Sequence, residues 1–277
     1  MIYGEGRTMT EQMRTIIDNF HRYSTDHLAA LTFGLSEETA YDALIVAPAF
    51  IPHKILDETE WEIEQTGRQG FCAGWEARKD GKTLAWIRTA SGGGNLLDYL
   101  LICGELRFRQ MIFVGAAGAL KPEFELGDVC TPSYSVAGTL ADAYLKDSLR
   151  DCVPFEKAYP DEAHTEEVIR LAERLGHRVK RASVFCTDSI AMEYTHLDEI
   201  RSFGTDLIEM ETSAFTAVAK LMEVPAVALL VVSDNSATGV PLVGRTDEQQ
   251  ARYERARRTV LGELIGAMIM QHGALRR

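Results

Sequence analysis

The chain has 277 residues, 25% of them charged and 46% hydrophobic, with a formal net charge of -12; this is the composition of a globular protein with a sizeable core. So acidic a total excludes a general nucleic-acid binder, which needs a basic face, and excludes docking on anionic membranes, so neither nucleic acid nor membrane is an expected partner. It does not exclude an anionic small molecule, because a pocket can depart locally from the sum.

Residues 8–33 read as helix behind a polar preface, and residues 1–40 as a helical N-terminal extension of a domain spanning 41–277. Strand and helix patterns then alternate: "YDALIVAPAF" (41–50) is a buried strand, and "KTLAWIRTA" (82–90) a second strand running into "SGGGN". "LLDYLLICGELRF" (96–108) has helical spacing, "QMIFVGAAGAL" (110–120) is an apolar strand breaking into a Gly/Ala turn, and "ELGDVCTPSYSV" (125–136) is a further strand. A helix over 164–177, capped by His164 or Thr165 and stopped by Gly176, precedes a strand over 178–188. A helix over 212–224 precedes "AVALLVVSD" (226–234), whose β-branched run predicts a fully buried strand, and an amphipathic helix covers 247–273. Five cysteines without a CxxC, and seven histidines without paired spacing, predict no disulfide framework and no metal site. The N-terminus has no signal-like apolar core and no apolar run is membrane-length, which predicts a cytoplasmic protein.

Such alternation predicts an α/β fold with helices on both faces of one sheet, and in such sheets ligands bind beyond the carboxyl ends of the strands. Four segments end predicted strands with chemistry to offer. In "TASGGGN" (89–95), Ser91 and Gly92 expose backbone N–H groups at a helix start, suited to an anion or a sugar; the alternative is a plain flexible connection. In "VGAAGAL" (114–120), Gly115 and Gly118 allow close approach of a ligand or tight packing on the sheet. In "IEME" (208–211), Glu209 and Glu211 share one side, and a helix beginning at Thr212 or Ser213 keeps a nearby carboxylate ionised, able to hold the vicinal diol of a ribose. In "VVSD" (231–234), Ser233 and Asp234 end the most buried strand; desolvation raises an Asp pKa there and prepares it to give a proton to a leaving group, unless Asp234 only opens a turn. Trp61, Trp75 and Trp86 read as core aromatics, and Arg245, Arg252, Arg255, Arg257 and Arg258 as a solvated helix face and its approach. His53 and Lys54 follow the first strand and are within reach of a strand-end site.

The stretches "MIFVGAAGALKPEFELGDV", "FCTDSIAMEY" and "LIEMETSAFTAVAKLMEVPAVALLVVSDN", in this order, resemble the nucleoside phosphorylase superfamily of purine nucleoside phosphorylase, uridine phosphorylase and the adenosylhomocysteine/methylthioadenosine nucleosidases. The resemblance spans roughly residues 41–270. It implies a single-domain α/β/α sandwich with a mixed central sheet, a homo-oligomer, and cleavage of the bond between a base, preferably a purine, and C1′ of ribose. It implies that Glu211 binds the ribose hydroxyls, that Met210 packs on the sugar, that Asp234 protonates the leaving base, and that Ile190 stands where an aromatic stacks on the base. No cofactor is implied beyond phosphate as a co-substrate. Three departures bear on that phosphate: Phe113 and Phe50 stand where the phosphorylases carry arginines, and Ala116 where they carry Ser or Thr. A nucleosidase's water-activating Glu is also missing from "APAFIPHK". Phosphorolysis, hydrolysis and nucleoside binding without turnover therefore stand as alternatives, with Ser91–Asn95, Lys54 or a neighbouring subunit's Arg68 as other anion donors.

Overall fold

A computed structural model describes residues 9–271. Its elements in chain order are α1 (Glu11–His21), α2 (Leu28–Phe33), β1 (Ala40–Tyr41), β2 (Ala43–Val46), β3 (Glu62–Gln69), β4 (Cys72–Lys79), β5 (Lys82–Arg88), α3 (Gly93–Ile102), β6 (Arg107–Phe108), β7 (Met111–Ala119), β8 (Val129–Ala137), β9 (Lys157–Ala158), α4 (Glu162–Arg174), β10 (Val179–Cys186), α5 (Ile190–Glu193), α6 (Leu197–Ser202), β11 (Leu207–Glu209), α7 (Thr212–Leu221), β12 (Ala226–Asn235), α8 (Asp247–Arg255) and α9 (Gly262–Gln271). The apolar runs are strands because both their faces are covered. Along β12, Ala226, Ala228, Leu230 and Val232 enter one core with Phe33, Leu97, Phe113 and Phe215, while Val227, Leu229 and Val231 enter a second with Trp86, Val168, Leu264 and Met268. Helices α1, α2, α3 and α7 thus cover one face, and α4, α8 and α9 the other.

The sheet runs β11-β10-β8-β12-β7-β2-β5-β4-β3. Pairing is parallel from β12 through β7 and β2 to β5, and antiparallel between β12 and β8 and through β5, β4 and β3. The end strand β11 also pairs antiparallel with β7, so β7, β12, β8, β10 and β11 close into a ring. This closure positions the site described below.

Several local expectations are corrected. The predicted N-terminal helix is two helices, broken by residues 22–27, with His27 left-handed at φ 61°; its start at residue 8 lies outside the described residues. Met13, Ile17 and Phe33 are fully buried in the main core, and Thr10 bonds the Leu221 carbonyl through both N–H and hydroxyl. The helix expected over 96–108 begins at Gly93 and ends at Ile102, and Cys103–Glu105 tighten into a 3-10 turn. Strands β3 and β4 were not expected. Asp161, not His164 or Thr165, caps α4 through the His164 N–H. The final helix is interrupted by a π-helical turn, Ala256–Leu261, and residues 272–273 lie outside the described ones. No helix among the described residues is long and apolar enough to cross a membrane.

Candidate active site

Gly118, near the end of β7, is paired on one side with Asp234 of β12 and on the other with Ile208 of β11. Neighbouring strands lie about 4.8 Å apart, so the backbones that carry Asp234 and the Ile208–Glu211 segment flank a single residue. A side chain does not fit between them. A Cβ at Gly118 would stand 2.9 Å from Asp234 Oδ2 and 3.2 Å from Ile208 Cγ2.

On the β11 side the two glutamates do different work. Both oxygens of Glu209 are committed. Oε1 accepts from the Cys186 thiol at 2.9 Å and from the Thr212 hydroxyl at 2.8 Å, and Oε2 from the N–H groups of Glu211 (2.9 Å) and Thr212 (3.0 Å). Glu209, expected to touch substrate, is instead an internal cap that fixes the start of α7. Neither Thr212 nor Ser213 caps that helix, and Glu211 occupies the cap position with its own side chain free of that duty. Glu211 accepts the Gly92 N–H through Oε1, which brings the Gly-rich segment and the glutamate together; Ser91 beside it is exposed and Met210 half-buried.

Burial, with the neighbouring Glu209 second, pushes the Glu211 carboxyl up to about 8, against the expected pull of the helix start toward an ionised group, while the Gly92 N–H opposes the rise. Burial also raises Glu209. Glu209 meets donors on both oxygens, so it is the better anion of the pair. Burial and then Glu209 push the Cys186 thiol far up, which keeps it a donor.

On the β12 side, Ser233 Oγ donates to Asp234 Oδ1 at 2.6 Å, and Arg245 Nε donates to the Ser233 carbonyl at 2.8 Å. Burial raises Asp234, against the Ser233 hydrogen bond and the Arg245 charge. A second acid, absent from the sequence reading, joins it: Glu193, at the end of α5, is 9% exposed, and burial followed by the Asp234 charge pushes it up to about 7. Tyr194 feels both carboxyls. The only linear signal for Glu193 is its place in the short helix after β10. Ile190, on the same helix, is 45% exposed.

The positions where phosphate donors were expected are apolar for local reasons. Phe113 is buried against Phe215, ring centroids 5.4 Å apart, and Gly115 accommodates that ring: a Cβ there would meet Phe113 Cε1 at 2.6 Å. Gly115 therefore serves packing. Phe50 is buried, and its carbonyl accepts the Trp86 indole N–H at 3.0 Å. Arg68 bonds the Gly70 carbonyl. Among the described residues no group of three His, Cys, Asp or Glu side chains is placed to hold a metal ion. Two grooves, of about 480 and about 390 Å³, open beside α7 at Thr216 and Lys220, and neither is lined by Glu211 or Asp234.

The family model of the phosphorylase superfamily matches residues 93–266, from the start of α3 into α9, including Glu211 and Asp234. The purine nucleoside phosphorylase DeoD-type of Exiguobacterium sp. (strain ATCC BAA-1283 / AT1b) is 23% identical over 241 residues, 86% of this chain and 97% of that protein. Those of Bacillus velezensis and Bacillus subtilis are 25% and 24% identical over 196 and 193 residues, in each case 69% of this chain and 78% of the relative. With a mixed central sheet and a family match over more than half its length, the chain belongs to the phosphorylase superfamily.

Proposed function

We propose that the chain cleaves the N-glycosidic bond of a purine nucleoside. The observation that carries this reading is Gly118, flanked by the two strands that deliver Asp234 and Glu211 to one sheet edge. As the C1′–N bond stretches, its electron pair moves to the base and positive charge develops on the sugar. Asp234, its proton held by burial, gives that proton to the departing base. Glu211 holds the ribose hydroxyls. Protonated, it donates to one and accepts from the other, and the growing positive charge on the sugar favours its ionisation. Ser233, clamped to Arg245 through its carbonyl, orients the Asp234 carboxyl.

Two nucleophiles complete the same reaction. Water is favoured by the burial of Phe113, which leaves no arginine at that position. Phosphate is favoured by the match to the phosphorylase superfamily and to relatives named purine nucleoside phosphorylase. Incubation with inosine, guanosine, adenosine, methylthioadenosine and uridine, with and without phosphate, tests the reading through release of free base. Cleavage of purine nucleosides is the expected result. Tight binding with no release from any of them would leave a nucleoside-binding protein and sink the catalytic reading.

A further inference from the structure

The first turn of α7 is tied to three other elements by side chains that the proposed chemistry does not use. In the parallel pairing of β8, β10 and β11, Val184 stands beside Ser135 and Leu207, and Cys186 beside Glu209. Side chains two residues apart on a strand point to one face. Ser135, Cys186 and Glu209 therefore project, like Val184 and Leu207, into the face that α7 covers. All three are buried, Ser135 and Cys186 completely. The Cys186 thiol makes two bonds of opposite sense: it donates to Glu209 Oε1 at 2.9 Å, and its sulfur accepts the Ser213 N–H at 3.3 Å. One side chain thus joins the end of β11 to the second residue of α7, across Met210 and Glu211. A thiol suits this place because it packs as a small hydrophobe while it both donates and accepts.

The other bonds have a fixed direction. The Thr212 hydroxyl has one proton, which it gives to Glu209 Oε1 at 2.8 Å. Ser135 Oγ lies 2.7 Å from the same hydroxyl, so Ser135 donates and Thr212 accepts. The hydrogens of Ser135, Thr212 and Cys186 all run toward Glu209. A third tie is longer: the Ser213 hydroxyl donates to Asp142 Oδ1 at 3.5 Å, in the 3-10 turn Ala141–Leu145. Glu211 stands between these fixed points at the cap position, with non-helical φ -134° and ψ -24°, so its direction is set by its neighbours and not by the helix itself. Small misplacements of a ligand-holding group are costly. We propose that Cys186 and Ser135 are positioning residues for the nucleoside: by fixing Glu209 and the first turn of α7 on either side of Glu211, they set where the Glu211 carboxyl meets the sugar hydroxyls. This rests on the function proposed above, in which Glu211 holds the ribose.

Calorimetric binding of inosine and of 2′,3′-dideoxyinosine to the whole chain separates positioning from general damage, because the second ligand lacks the hydroxyls assigned to Glu211. Cys186→Ala removes donor and acceptor together and is expected to weaken inosine binding about tenfold, with dideoxyinosine binding nearly unchanged. Cys186→Ser keeps a donor and an acceptor at the position and is expected to recover most of that loss. Ser135→Ala removes only the outer donor; it is expected to show the same selective loss at smaller size, and it carries the test should Cys186→Ala not fold. Equal losses for the two ligands, no loss in either alanine variant, or a serine variant as impaired as Cys186→Ala would each overturn the positioning role. Glu211→Gln in the same assay tests the reading beneath it. If its loss is confined to inosine while the Cys186 and Ser135 variants lose nothing selectively, the positioning role alone fails. If Glu211→Gln affects both ligands alike, Glu211 is not the ribose ligand and the positioning role fails with that reading.

Discussion

Asp234 and Glu211 are both buried acids, yet their variants should fail in different ways. If Asp234 supplies a proton to the leaving base, Asp234→Asn lowers kcat for purine nucleosides by about 10²–10⁴. A riboside whose leaving group is an acidic phenol needs no proton and should be largely spared. Comparison of the two substrates in one preparation decides it, since equal losses would make Asp234 a structural residue. The two glutamates separate by another measurement. Glu209 is ringed by donors, so Glu209→Gln turns an amide N–H₂ toward groups that need an acceptor, at a cost of about 1–3 kcal/mol. Its melting temperature should fall. Glu211 accepts fewer donors, the Gly92 and Met210 N–H groups, so Glu211→Gln should fold and lose nucleoside affinity. The reverse pattern would exchange their roles.

At the scale of elements, the site depends on β11, only three residues long, being held in place. Asp206, immediately before it, anchors it. Its Oδ2 accepts the Ser183 N–H at 2.7 Å and hydroxyl at 2.8 Å, and its Oδ1 receives Lys121. Burial acts to raise this carboxyl, but Lys121 and Ser183 outweigh it and hold it below its ordinary value. The stabilisation is therefore present above the unfolded-state pKa and lost as pH falls through the lower folded value. Asp206→Asn should cost on the order of 1 kcal/mol at pH 7, discounted for partial exposure, and that cost should shrink in urea melts as pH falls below the ordinary carboxyl value of 3.8. A cost that does not shrink with pH would assign it to packing instead. The partner strands β7, β10 and β12 were legible because continuous apolar runs bounded by turn residues have few other outcomes. β3 was not: in "EIEQTGRQ" the only apolar side chain is Ile63, because the strand lies at the sheet edge with most of its residues exposed or half-buried. Strand-end placement made Glu211 and Asp234 visible as candidates. Glu193, Gly118 and the burial of Arg257, 8% exposed on what reads as a solvated helix face, were hidden, because the antiparallel closure of β11 on β7 and the π-helical turn are tertiary facts with no local pattern.

For the molecule as a whole, the same acids set the pH dependence of stability. Burial pushes Glu211 to about 8, Glu193 to about 7 and Asp142 to about 6, and raises Asp234. The folded chain thus holds protons that the unfolded chain, with carboxyls at 3.8–4.5, has already released. By linkage, that contribution is whole below the unfolded values and is lost as pH rises through the folded ones. The net charge of -12 adds self-repulsion in the same direction. The urea midpoint should therefore fall steadily between pH 5 and pH 8.5, whereas a fold dominated by ion-paired carboxylates would gain stability with pH over the lower part of that range. Glu211 supplies the widest window, so Glu211→Gln, which removes its ionisation, should melt closer to the wild type at pH 5 and above it at pH 8.5. The variant that has lost nucleoside affinity would then be the more alkali-stable protein, because a carboxyl buried for use on a sugar is a liability to the ligand-free fold. Identical pH profiles for wild type and variant would mean that Glu211 is solvated, and the pairing of buried acids around Gly118 would no longer describe the site.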